Sequence, residues 1–127
     1  MTSRVASLAI DAVDPVALAR FWCAALSYEV LETDEEGLIS IGAPGRLEID
    51  LVAVPEEHTI KNRLHLDLRA EDRTQAEEVE RLLALGARHA DVGQGPDVTW
   101  VTLADPEGNE FCVLQRTWAE ASSAART

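Results

Sequence analysis

Between residues 63 and 68 the chain alternates strictly, with Leu64, Leu66 and Leu68 on one parity and Arg63, His65 and Asp67 on the other. Side chains of a strand point to opposite faces in turn. The stretch therefore predicts a strand with one face for a core and the other carrying a cation, an imidazole and a carboxylate. Residues 5–13 predict a second strand of this kind, rich in Val, Leu, Ile and Ala. Asp14-Pro15 follows it: a carboxylate at a helix N-cap, and a proline at the first helical position, where its missing N–H is harmless. Leu18, Phe21, Trp22, Ala25 and Leu26 recur at helical spacing and predict an amphipathic helix over 15–26. Ser27-Tyr28 ends it without the usual glycine.

Strands are expected at 28–33, 38–41 and 47–54, separated by turns at 34–37 and 42–45. The last of them puts Glu48 and Asp50 on one face and Leu47, Ile49 and Leu51 on the other. Residues 55–62 form a polar connector. In the second half, Asp72 is the expected cap of a helix whose buried stripe is Ala76, Val79, Leu82 and Leu83, and Gly86 stops it. A short strand at 88–92, a loop at 93–97, a strand at 98–103, a turn at 105–108 and a last strand at 110–115 complete the pattern. From Trp118 onward the sequence reads as a frayed tail of small residues.

The halves repeat one another: strand, helix, three strands. One offset, 58 positions, separates Ser7 from His65 and Asp14 from Asp72. Two copies are too few for a solenoid, so this is an internal duplication. The expected organisation is one domain over 1–120, built of modules at about 4–56 and 62–116, with a tail at 117–127.

Composition narrows the function classes. The 127 residues are 46% hydrophobic, enough for one core. Acidic residues number 23 against 11 basic, a formal charge of −12. Such a surface repels phosphate backbones and anionic lipid, so neither nucleic acid nor membrane is an expected partner. Cys23 and Cys112 have no CxxC neighbour and read as free thiols of a reducing compartment. The N-terminus carries neither a secretory apolar region nor a span, since Asp11 and Asp14 interrupt it. The expected location is cytoplasmic.

Three stretches carry a family resemblance: Asp14-Pro15 with Ala19-Arg20-Phe21-Trp22, residues 61–68, and Ala104-Asp105-Pro106-Glu107-Gly108-Asn109-Glu110-Phe111. Over about residues 5–116 the chain resembles the vicinal oxygen chelate superfamily of glyoxalase I, bleomycin-resistance proteins and extradiol dioxygenases. Within it, the likeness is to the small stand-alone glyoxalase-like domain proteins. The resemblance implies an α+β fold in which two βαβββ modules form a half-open β-barrel cleft that holds a small-molecule ligand, in a protein that pairs as a homodimer. In metal-dependent members each module supplies one ligand from its first strand and one from its last. Carried over, these positions are Ser7 and His65 on first strands and Cys112 on the last strand of module two. The module-one counterpart is Glu48 or Ile49, depending on register. The family's usual His/Glu set is matched clearly only at His65.

The candidate residues follow. His65, Glu48 and Cys112 would supply three ligands of mixed hard and soft character to a divalent metal such as Zn, Ni or Fe; alternatively Cys112 fills a core. His65, Trp100, Asp67 and Ser7 are expected ligand-contacting residues, with Trp100 as an aromatic floor. Asp67 or Glu110 would act as catalytic base; for Asp67 the alternative is a structural pair with His65 or Arg63. An extradiol site needs two histidines and a carboxylate, but His58 falls in the connector and His89 after the second helix. The eroded ligand set and the acidic surface favour a metal-independent binding protein of the resistance type. The alternative is a metal-dependent lyase or isomerase of the glyoxalase I type.

Overall fold

The duplication appears as two sheets with the same strand order. The computed structural model describes residues 2–125 apart from Val92, Gln94 and Pro96, in two compact units, Met1–His58 and Thr59–Thr127. In the first unit β1 (Ser7–Ala12) leads through α1 (Pro15–Leu26) to β2 (Glu29–Thr33), β3 (Ile39–Gly42) and β4 (Glu48–Ala53). The sheet order is β1-β4-β3-β2, with β4 parallel to β1 and antiparallel to β3. In the second unit β5 (Asp67–Leu68), α2 (Gln75–Leu85), β6 (Arg88–His89), β7 (Val101–Ala104) and β8 (Glu110–Val113) give the order β5-β8-β7-β6, with β8 parallel to β5. A parallel pair needs a crossover, and each unit's helix begins that crossover. The architecture is the expected α+β fold of two βαβββ units.

Apolar periodicity positions each core. Leu18, Ala19, Phe21 and Trp22 form the buried face of α1, with the Phe21 and Trp22 rings edge to face at 5.0 Å. Ile49 and Leu51 of β4 are buried, as alternation predicts. Leu82, Leu103, Phe111 and Val113 do the same in the second unit. Asp14 caps α1 as expected, accepting from Ala17 N at 3.2 Å, and Ser27 ends it in the left-handed conformation at φ 56°.

The structure corrects several sequence expectations. The alternating stretch 63–68 is a strand only over Asp67–Leu68, and Leu64 is 81% exposed rather than in a core. Its partner explains this. Asp67 pairs with Cys112, and β8 begins only at Glu110, so no part of β8 lies opposite Leu64, whose carbonyl instead accepts from Asn62 Nδ2 at 3.2 Å. Thr74, not Asp72, caps α2, through a reciprocal capping box with Glu77. Ala76 is exposed, and the buried face holds Glu78, Val79 and Leu82; Glu78 is tolerated there because both its carboxylate oxygens take Arg81, at 2.7 and 2.8 Å.

Of the strand expected at 88–92, only Arg88–His89 is strand, and Val92 lies outside the described residues, as do Gln94 and Pro96 of the loop at 93–97. Trp100 stands just before β7 rather than within a strand. The tail is not frayed throughout. Trp118–Ala125 form α3, started by a second capping box in which Thr117 N donates to Glu120 at 2.8 Å and Glu120 N to Thr117 Oγ1 at 3.2 Å. Among the described residues no helix is long and apolar enough to cross a membrane.

Candidate functional site

Strand register in the second unit gathers chemistry from three strands. Cys112, in β8, lies opposite Asp67 on one side and Thr102 on the other. His65 precedes Asp67 by two residues, and its Nδ1 lies 3.1 Å from Asp67 Oδ1. Thr102 Oγ1 lies 3.7 Å from Cys112 Sγ. A ring nitrogen of His65, a carboxylate oxygen of Asp67 and Cys112 Sγ are all within 4.8 Å of one another. These groups face a cavity of about 330 Å³, whose wall also includes Trp100, Glu110 and Leu114.

Lys61 and Asn62 complete the wall from the connector. The Asn62 backbone N–H donates to Glu110 Oε2 at 3.0 Å, and its side-chain Nδ2 is turned to Leu64 O. Its Oδ1 is buried without a hydrogen-bond partner, the only such side-chain atom among the described residues. An unpaired buried acceptor costs roughly 1–3 kcal/mol.

Cys112 is buried and His65 and Asp67 are exposed, so the cluster grades from a dry wall to a wet rim. Burial pushes the Cys112 thiol above its ordinary value, and the Asp67 charge adds to this. The Thr102 hydrogen bond and the Lys61 charge offset part of the rise.

The remaining expected residues lie in the first unit. Ser7 Oγ donates to Asp50 Oδ2 at 2.9 Å, and Ser40 Oγ to Asp50 Oδ1 at 2.7 Å. The Ser40 bond chiefly holds the Asp50 carboxyl below its ordinary value, while desolvation and then Asp50 itself hold Glu48 above its own. Register answers what the sequence left open. Ala9 pairs with Asp50 as Asp67 pairs with Cys112, so the counterpart of Cys112 is Asp50, neither Glu48 nor Ile49. Ile49 points into the core at 2% exposure.

The second-unit cavity thus contains His65, Asp67, Trp100, Glu110 and Cys112 of the expected set; Ser7 and Glu48 stand around Asp50 in the first unit. Lys61, Asn62, Thr102 and Leu114 were missed. Alternation along β8 from Glu110 and Cys112 could have supplied Leu114, and the β7–β8 register Thr102. The connector carries no periodic signal that could have found Asn62.

Two units of strand, helix and three strands, with candidate groups at the register positions of the first and last strands, are the arrangement that the family resemblance implied. The glyoxalase-like domain model matches residues 7–114, and the chain belongs to that family. No curated protein matches it. Among solved structures, it is similar to a glyoxalase/bleomycin resistance protein/dioxygenase family enzyme from Burkholderia phytofirmans PsJN: 18% identity, 87% of this chain and 97% of that one, TM-score 0.69. The genomically encoded fosfomycin resistance protein FosX from Listeria monocytogenes, complexed with Mn(II) and sulfate ion, is 16% identical over 98% of this chain and 99% of that one, TM-score 0.73. Oxidase ChaP-H2 is 16% identical over 94% and 98%, TM-score 0.61.

The manganese of the FosX complex tests the donor set. Manganese prefers hard oxygen donors, whereas the last-strand position of the second unit holds a buried sulfur, which does not suit it. The nitrogen, oxygen and sulfur donors of His65, Asp67 and Cys112 are of the mixed kind that zinc accepts.

Proposed function

We propose that the protein binds a small, flat, cationic organic molecule in its second-unit cavity without requiring a metal, as a sequestering protein of the resistance type. The observation that carries this reading is the charge of the cavity wall: two carboxylates, Asp67 and Glu110, against one ammonium, Lys61, bias it toward a cation. A protonated amine or amidinium on the ligand would pair with those carboxylates, and Trp100 offers a ring face for it. The same bias disfavours an anionic ligand such as the sulfate ion bound with manganese in the FosX complex.

Titration with benzamidinium, followed by tryptophan fluorescence, tests the reading. A saturable quench that disappears in Trp100→Phe and weakens about tenfold in Glu110→Gln supports it. Saturation by a neutral or anionic analogue with equal affinity sinks it.

A second reading is favoured by the 4.8 Å grouping of His65, Asp67 and Cys112: a zinc-dependent lyase or isomerase in which these three hold the metal and Glu110 serves as base. When bound, the metal would polarise a substrate carbonyl. The chain's own part would be to orient His65 through Asp67 and keep Glu110 fixed on the Asn62 N–H. Stoichiometric zinc in protein purified without an affinity tag, lost in Cys112→Ser, would select this reading over the first. The homodimer and the cytoplasmic location belong to the same proposal, the former checked by sedimentation.

A further inference from the structure

The binding reading leaves Cys112 unexplained. A ligand held only by Asp67, Glu110 and Trp100 has no use for a thiol on the cavity wall. The sulfur is set between two strands, with Thr102 opposite on one side and Asp67 on the other, and the residue is 7% exposed. It therefore meets molecules that enter the cavity and is sheltered from bulk solvent. His65 and Asp67 stand within 4.8 Å of it. Asp67 Oδ1 lies 3.1 Å from Nδ1 of the imidazole and orients the ring. A thiol, an imidazole and a carboxylate that orients the imidazole are the parts of an activated nucleophile. Cys23, on α1, has no such neighbours among the groups found at ligand distance.

We propose that Cys112 captures a soft carbon electrophile of the α,β-unsaturated carbonyl class inside this cavity, with His65 as the base and Asp67 as the residue that positions it. The chemistry needs no oxidant and has no leaving group. The Cys112 S–H proton passes to His65 as the sulfur bonds to the β-carbon. The C=C π pair moves toward the carbonyl oxygen as an enolate, and the imidazolium returns its proton to the α-carbon. Lys61, on the same wall, contributes a positive charge that favours the enolate. Sulfur is a soft, polarizable nucleophile and suits a soft carbon. Its place on the cavity wall confines the reaction to molecules the cavity admits. The proposal rests on the same cavity as the binding reading and adds a covalent step to it.

Chelator-treated full-length protein is incubated with cyclohexenone, and the adduct at each cysteine is followed by intact mass and peptide mapping. Cys23 in the same molecule is the internal reference. The expected result is modification of Cys112 about tenfold faster than Cys23. His65→Gln should slow Cys112 about a hundredfold and leave Cys23 unchanged. Asp67→Asn should slow it less, because it leaves the base in place.

An unchanged urea unfolding midpoint, read alongside, reports that each variant is folded. Equal rates at the two cysteines, or a Cys112 rate indifferent to both His65→Gln and His65→Ala, overturn the proposal. Benzamidinium binding by Cys112→Ser separates the two readings: binding kept while the adduct is lost supports covalent capture as a step added to an intact site. If wild type forms no Cys112 adduct but still binds benzamidinium, only the covalent step is overturned.

Discussion

The two modules put different residues on the same frame. In module one the last-strand position is Asp50, with Ser40 opposite on the neighbouring strand and Ala9 opposite on the first. In module two the three places hold Cys112, Thr102 and Asp67. A hydroxyl faces the last-strand position in both. The carboxylate has changed strands. In module one it is closed off by two serine hydroxyls, Ser7 and Ser40. In module two it sits at the rim and turns to His65, leaving a thiol with a single long contact to Thr102. The comparison teaches that topology sets the positions and their register, while the residue at each position decides whether it is a satisfied cluster or an available one.

The largest expected effect lies where module two has a device that module one lacks. Asp105, fully buried at the turn between β7 and β8, accepts from Glu107 N, Asn109 N and Asn109 Nδ2. The corresponding turn of module one closes through a backbone bond from Arg46 N to Ala43 O. Asp105→Ala leaves several donors without their acceptor and should cost about 3 kcal/mol, read as a shift in the urea midpoint at constant slope. A loss under about 1 kcal/mol would mean that the turn holds without its carboxylate.

Asp50 comes next. Removing it orphans two serine hydroxyls, and Asp50→Ala should cost about 2 kcal/mol. Its pH signature is distinct from that of its neighbour. The Asp50 carboxyl is held below its ordinary 3.8, so its stabilisation is full above that value and is lost as pH falls through the lower folded one. Glu48 is held above its ordinary 4.5, so its contribution is full below that value and is lost as pH rises through the higher folded one. Asp50→Asn should therefore flatten the loss of stability below about pH 4, and Glu48→Gln should raise stability at neutral pH. Denaturant midpoints measured across that range check both signs.

How much of this could be read from the chain depends on whether the signal was periodic. Strands, helices and the duplication follow from apolar spacing, and α1 matches its expected bounds because Asp14, Pro15 and the Leu18–Trp22 stripe agree. The reading failed where a local side-chain bond competed with the pattern. Leu64 alternates correctly, yet its strand ends because β8 starts late and Asn62 takes its carbonyl. Asp72 looks like a cap, but the Thr74–Glu77 box two residues later supplies two bonds where Asp72 offers one. The same box hidden in Thr117-Trp118-Ala119-Glu120 turns an expected tail into a helix. For the site, His65, Asp67 and Cys112 were legible singly. Their grouping was not, because it depends on a register that the turns set.

The helix ends give the smallest and sharpest contrast. Helices α1 and α2 both finish with a residue at positive φ, which a Cβ disfavours. Module two uses Gly86 at φ 123°, and module one uses Ser27 at φ 56°. At Gly86 the nearest atom a Cβ would meet is Pro106 Cγ at 3.8 Å, ordinary contact, so the cost of Gly86→Ala is conformational and should be about 1.5 kcal/mol. At Ser27 the exchange runs the other way. Glycine relieves the left-handed strain but adds freedom to the unfolded chain, so the two effects partly cancel. Ser27→Gly should stabilise by about 0.5 kcal/mol, seen as a small upward shift in thermal midpoint with unchanged cooperativity. The Ser27 N–H bond to Cys23 O survives either way, because it is made by the backbone. If Ser27→Gly destabilises instead, the serine side chain contributes more at the helix end than its backbone conformation costs, and the two modules stop their helices by different means.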